Sequence, residues 1–285
     1  MLKVLLWFVS DDTKFFQDAV TILKTQHGGI EIIASVSIAE IIKFDCTKAN
    51  VILVVGAKKF GMGQIIREVR RRNLPAEKLL GDWIVCIPGF TLEKYRLLQR
   101  SRLSIFSVNC FGGFISHTLG LPFQSPFVNM FLNARDHLRF LREPQAYMAK
   151  NLVLKEMLWN ANLKFNYPVV KLGDIELNMN HYRSFDEAVE SWERRKARIN
   201  WDNLFVTMHT EDEKILQEFD ALPYEKKICF VPFKSDLPSA WYINPELRKD
   251  LPFWGIVVRF AQGSPLCYDP FDMLLYGKKT QLIDM

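Results

Sequence analysis

At 285 residues the chain is long enough for one large domain or two modest ones, each burying its own core. Hydrophobic residues at 49% and charged residues at 24% describe a globular protein and exclude a fibrous or low-complexity one. The net charge of +5 is mild and scattered, short of the concentrated basic face of a duplex-binding protein, so no nucleic-acid partner is expected. That charge suffices to attract a phosphorylated small molecule or an anionic membrane surface.

Five cysteines, at 46, 86, 110, 229 and 267, are widely spaced with no CxxC pair. This excludes a disulfide framework or a zinc ribbon and fits a reducing cytoplasm. The opening run MLKVLLWFVSDD is apolar but too short to span a bilayer. It lacks a basic start and a cleavage site, so it reads as a first strand rather than a signal.

Over residues 1–100 the pattern alternates as an α/β unit does. Strands are expected at 2–9, 30–35, 51–55 and 83–87, with a helix from a cap at Asp12-Thr13 to Lys24 and another at 91–100. Unbroken β-branched runs imply a parallel sheet covered on both faces. The expected fold class is α/β: a small Rossmann-like parallel-sheet domain over 1–100, then a second, three-layer α/β domain over 101–285. In that second domain strands are expected at 103–108, 165–170, 175–180, 204–208 and 228–231. Helices are expected at 135–141, 185–198 and 212–221. The aromatic tail from Pro232 is expected to pack irregularly, with 256–260 as an added strand.

Four segments hold residues able to do chemistry. The turn Gly56-Ala57-Lys58-Lys59-Phe60-Gly61-Met62-Gly63 follows a strand, and its amides and lysines suit a phosphate, although the spacing matches neither GxGxxG nor a P-loop. A plain glycine turn explains it as well. Arg67, Arg70, Arg71 and Arg72 then form a basic helix end.

The second segment is Asn109-Cys110-Phe111-Gly112-Gly113 with Ser125 after it. Paired glycines at a strand-to-helix turn admit close backbone approach, so Asn109, Gly112, Gly113 and Ser125 read as substrate-binding elements. Cys110 at a helix start is a candidate nucleophile. His117 lies seven residues on, ~10 Å along one helix, too far for a direct dyad. A buried structural cysteine competes with that role.

In the third segment, 171–182, strand alternation puts Asp174 and Glu176 on one face about 7 Å apart, able to share a divalent ion such as magnesium or manganese. A half-exposed strand explains the same pattern. Alternation sends His181 to the apolar face, as a hydrogen-bonded histidine or a catalytic one.

The fourth segment, 184–203, opens with a capping box, Ser184 with Glu187. Arg195 and Arg198 near its end suit a diphosphate clamp and Trp201 a stacking partner, with Asn200 and Asp202 as further substrate-binding candidates beside them. A solvated charged face is the competing account.

Three ordered motifs carry a resemblance over about residues 100–231: NCFGGFISHTLGLPFQSPFVNMF, YPVVKLGDIELNMNHY and SWERRKARINWDNLFV. The chain resembles a bacterial family of unknown function whose members are often labelled exopolysaccharide biosynthesis proteins. Phe111 stands where that family's pattern leads one to expect tryptophan. The resemblance implies cell-surface polysaccharide assembly. With the residues above it gives a cytoplasmic transferase using a nucleotide-activated sugar or similar phosphorylated donor, peripherally associated with membrane glycan-assembly machinery. A Cys110-dependent acyltransferase or hydrolase and a non-catalytic glycan-assembly binding protein stand as alternatives.

Overall fold

The computed structural model describes residues 1–57, 65, 67–69, 71–262 and 267–281. The chain is α/β and divides into two compact units. The first comprises 1–100 with 117–121 and 269–271; the second comprises 101–116, 122–268 and 272 onward.

In the first unit four parallel strands, β1 (Leu2–Phe8), β2 (Ile30–Ser37), β3 (Val51–Val55) and β4 (Leu79–Gly81), lie in the order β2-β1-β3-β4. The central strands β1 and β3 carry the unbroken apolar runs, and all of β3 is buried, as a strand covered on both faces requires. The expectation of a buried β2 fails. It is the sheet edge, and Glu31, Ile32, Ser35 and Ser37 reach solvent.

Two other elements differ from the sequence reading. Helix α1 (Phe16–Gln26) starts after Phe15 rather than at Asp12-Thr13. The Asp12 carboxylate instead accepts from the Lys14 amide at 3.4 Å in the preceding turn. Residues 83–87 are not a strand: Trp83 lies in the single turn α2 (Asp82–Val85) directly after β4. The cause is Asp82, 1% exposed, whose carboxylate accepts from the Gly56 amide at 3.1 Å and the Trp83 amide at 2.9 Å. Those bonds end the strand and start a helical turn, which the run Trp83-Ile84-Val85 alone does not reveal. Burial holds the Asp82 carboxyl above its usual range. Helix α3 (Leu92–Arg100) closes this stretch, with the Thr91 hydroxyl accepting from the Lys94 amide at 3.1 Å.

The chain continues through β5 (Ser104–Ser107), α4 (Phe111–Thr118), α5 (Ala134–Arg142) and α6 (Pro144–Met148). Then come β6 (Leu152–Asn160), β7 (Phe165–Leu172), β8 (Ile175–Asn178) and α7 (Phe185–Lys196). The last elements are β9 (Leu204–His209), α8 (Glu213–Asp220), β10 (Lys227–Val231), β11 (Ala240–Tyr242), α9 (Phe253–Gln262) and α10 (Pro270–Tyr276).

The parallel sheet of the second unit has the order β11-β10-β9-β5, with Ser104 opposite Leu204. Strands β6-β7-β8 form a separate antiparallel sheet. The two-residue turn Gly173-Asp174 joins β7 to β8, with Gly173 at φ +66°, the left-handed geometry favoured in tight hairpins. Strand β6 is an edge exposed over seven consecutive residues, Trp159 at 61%, so its sequence shows no in–out alternation and no strand was legible there.

Around Phe106 of β5 the rings of Phe127, Phe140 and Trp201 close at 5.3, 5.3 and 5.9 Å between centroids. The capping box forms: Ser184 Oγ accepts from the Glu187 amide at 3.2 Å, and the Glu187 carboxylate from the Arg183 amide at 3.0 Å. Residues 256–260 are helix α9, not an added strand. Phe253, Ile256, Val257, Phe260 and Ala261 are its buried stripe, a helical spacing that the short run hides. The added strand is β11. Among the described residues no helix is long and apolar enough to cross a membrane.

Candidate functional site

The carboxyl ends of β5 and β9 bring several buried polar groups together in the second unit. The register sets Ser107 opposite Thr207, so Asn109 and His209 emerge side by side. The Asn109 Oδ1 accepts from the Phe111 amide at 3.0 Å, which fixes its Nδ2 as the donor facing His209 Nδ1 at 3.5 Å. His209 Nδ1 must therefore accept, and the ring proton sits on Nε2. Burial lowers the His209 pKa to about 4, so the imidazole is neutral at pH 7.

Beside it, His137 on α5 is fully buried and its Nε2 donates to the Thr207 carbonyl at 3.2 Å. Burial lowers its pKa to about 3. His137 Nδ1 and the Thr207 hydroxyl are both buried without a partner among the described residues.

Cys110 borders the same cluster, its thiol 3.8 Å from the Met130 carbonyl. Desolvation pushes that thiol up to about 11, leaving it a resting thiol at neutral pH. An activated nucleophile needs the opposite shift. Cys110 is therefore expected to react with iodoacetamide at pH 7.5 more slowly than free cysteine by about tenfold or more. Mass-spectrometric timing of adducts checks this, and rapid stoichiometric labelling would restore the nucleophile assignment. His117 at the end of α4 and His181 in the turn after β8 are both exposed; β8 stops at Asn178, so strand alternation does not reach His181.

The glycine pair serves packing. A Cβ on Gly112 would lie 2.9 Å from both Ile105 Cγ2 and Ser107 Oγ, and one on Gly113 3.3 Å from Val128 Cγ1. The Gly112 amide is already taken by Ser107 Oγ at 3.1 Å. The space beside it, bounded by Ser116, Gln124 and Ser125, is about 10 Å³, room for one water and no substrate. Ser125 is buried and accepts from the Phe127 amide at 3.1 Å.

The predicted anion clamp is likewise engaged within the fold. Arg195 donates to the Tyr182 hydroxyl and lies 5.8 Å from the Phe123 ring centroid, while Tyr182 donates to the Val128 carbonyl at 3.0 Å. Arg198 Nη1 is 3.5 Å from the Phe123 carbonyl. Asn200 binds Ser104 Oγ through its amide at 2.9 Å and the Ser101 carbonyl through Nδ2 at 3.3 Å. Trp201 packs edge-on to Phe106, and Asp202 is exposed. Residues 195–202 thus tie down the segments at 101–104 and 123–128.

Asp174 and Glu176 do not share a strand face, because Asp174 occupies the hairpin turn. Asp174 accepts from the Tyr147 hydroxyl at 2.8 Å, a bond that lowers its pKa, and Glu176 pairs with Lys155 at 2.9 Å. Among the described residues no three His, Cys, Asp or Glu side chains gather as a metal site. Sequence reasoning missed His209 and His137. The available signal was a histidine closing the apolar run Leu204–Met208, where a parallel sheet presents its ligand-binding edge.

Residues 58–63 of the candidate phosphate turn, Lys58 and Lys59 included, and Arg70 of the basic helix end lie outside the described residues. The remaining basic residues, Arg67, Arg71 and Arg72, line a cavity of about 360 Å³ in the first unit, at the carboxyl ends of β1 and β2.

Residues 85–273 match the family described as a domain of unknown function, DUF1919, and the chain belongs to that family. A protein of Haemophilus influenzae described as uncharacterized is 39% identical over 154 residues, covering 52% of this chain and 71% of that one.

Proposed function

We propose that the protein is a cytoplasmic transferase of cell-surface polysaccharide assembly, acting on a nucleotide-activated sugar or similar phosphorylated donor. The motifs shared with bacterial proteins labelled for exopolysaccharide biosynthesis support the pathway. The observation that carries the chemistry is the Asn109–His209 pair at the carboxyl edge of the second sheet. A neutral imidazole held with its proton on Nε2 is a hydrogen-bond donor, suited to an oxygen on which negative charge grows as a diphosphate leaves. A magnesium or manganese ion accompanies donors of this class, and the reading includes peripheral association with membrane-bound assembly machinery.

The test is release of nucleoside diphosphate from a panel of sugar nucleotides, with and without either metal. His209→Gln should lower kcat about a hundredfold. Asn109→Asp keeps the cap on the Phe111 amide but replaces the donor facing Nδ1 with an acceptor. It is expected to move the ring proton to Nδ1 and to depress kcat similarly. Turnover untouched by either change, or no turnover of any donor, overturns the reading.

A further inference from the structure

The cavity of the first unit is unused by the chemistry above. Its walls are apolar, formed by Trp7 and Val9 at the end of β1, Ile38 just after β2, and Ile65. Its rim is cationic, with Arg67, Arg71 and Arg72 set against one carboxylate, Glu68. Glu68 holds Arg71 and Arg72, each at 2.9 Å, while Arg67 has no carboxylate partner among the described residues. Two excess positive charges therefore border an apolar chamber.

The chain runs from β1 to β2 on one side and returns to β3 on the other, so strand order reverses between β1 and β3, and β1 supplies Trp7 and Val9 to the cavity. Open parallel sheets take ligands outside the carboxyl ends of their strands at such a reversal. Trp7 is 1% exposed and closes the inner wall, its indole N–H without an acceptor among the described residues.

We propose that this cavity binds a phosphorylated small molecule of nucleoside-monophosphate size, its ring against Trp7 and Ile38 and its phosphate on Arg67 and Arg71. The volume selects the size. At about 360 Å³ it sits at the low end of small-molecule sites, enough for one mononucleotide and too small for a dinucleotide. Guanidinium groups suit phosphate through paired donors, and the apolar wall distinguishes a nucleotide from free phosphate.

Calorimetric titration of the full chain with AMP, UMP, their nucleosides and inorganic phosphate tests the site. The monophosphates should bind about tenfold or more tightly than either nucleoside or inorganic phosphate. The double variant Arg67→Gln/Arg71→Gln should lose that advantage at an unchanged melting temperature. Ile38 is 40% exposed, so Ile38→Trp can fill the chamber without disturbing the core, and it should abolish binding. His209→Gln should bind as the wild type does, which separates this site from the chemistry of the second unit. No nucleotide binding at millimolar concentration, inorganic phosphate binding as tightly, binding that survives the arginine and Ile38 changes, or binding lost in His209→Gln each overturns the proposal.

Discussion

Lowering the pH from 7 to about 4.5 is expected to remove roughly 5 kcal/mol of folding stability, the combined effect of two buried histidines. His137 and His209 have folded pKa values of about 3 and about 4, both lowered first by desolvation. In the unfolded chain each returns to about 6.5. The unfolded state therefore binds more protons below that value, and stability present above about pH 6.5 is lost as the pH falls. By pH 4.5 each histidine has forfeited about 2–3 kcal/mol, against a total of about 5–15 for an ordinary domain. Asp82, whose folded pKa is raised by burial, works in the other direction and softens the decline. Urea unfolding at both pH values measures the loss. His137→Gln can keep the bond to the Thr207 carbonyl while removing the titration, so its loss should be about half that of the wild type. An equal loss in both proteins would show that other groups carry the acid sensitivity.

Gly112→Val should destabilise the protein by about 3 kcal/mol, at the upper end of over-packing costs. The first added carbon already collides with Ile105 Cγ2 and Ser107 Oγ at 2.9 Å, and moving Ser107 breaks its bond to the Gly112 amide. Gly113 is the control. Its added carbon meets only the Val128 methyl at 3.3 Å, which can shift, so Gly113→Ala should cost less than about 1 kcal/mol. Urea midpoints of the two variants decide between packing and ligand approach as the reason for the paired glycines. If Gly112→Val folds as stably as the wild type, the helix does not sit on β5 as described.

The first sheet was largely legible because β1 and β3 are buried on both faces and so written as unbroken apolar runs. Strand β6 was not, since seven of its residues in a row are exposed and nothing in LVLKEMLWN alternates. The helix α9 and the turn at Asp82 failed for a different reason. Short apolar runs fit strand and helix equally, and the deciding bond from Gly56 to Asp82 spans 26 positions.

The site was legible in part. Asn109 and Cys110 were visible at the end of an expected strand. Their partner His209 was not, because only the pairing of β5 with β9 brings positions 109 and 209 together. Arg195 and Trp201 drew attention as a surface clamp. Their interest proved to be inward, since sequence shows that an arginine follows a tryptophan face but not that Tyr182 and Phe123 wait there.

That pairing has a consequence during synthesis. Among the described residues strand β5 pairs only with β9, and Leu204 leaves the ribosome one hundred residues after Ser104. At about 5–20 residues per second, β5 spends on the order of 5–20 s as a strand without a sheet neighbour. The antiparallel hairpins β6–β8 close within that wait, since their contacts are local. The nascent chain thus completes its inserted sheet before its central one, and the interval in which Ile105 and Phe106 stand open is when a holding chaperone has most to protect.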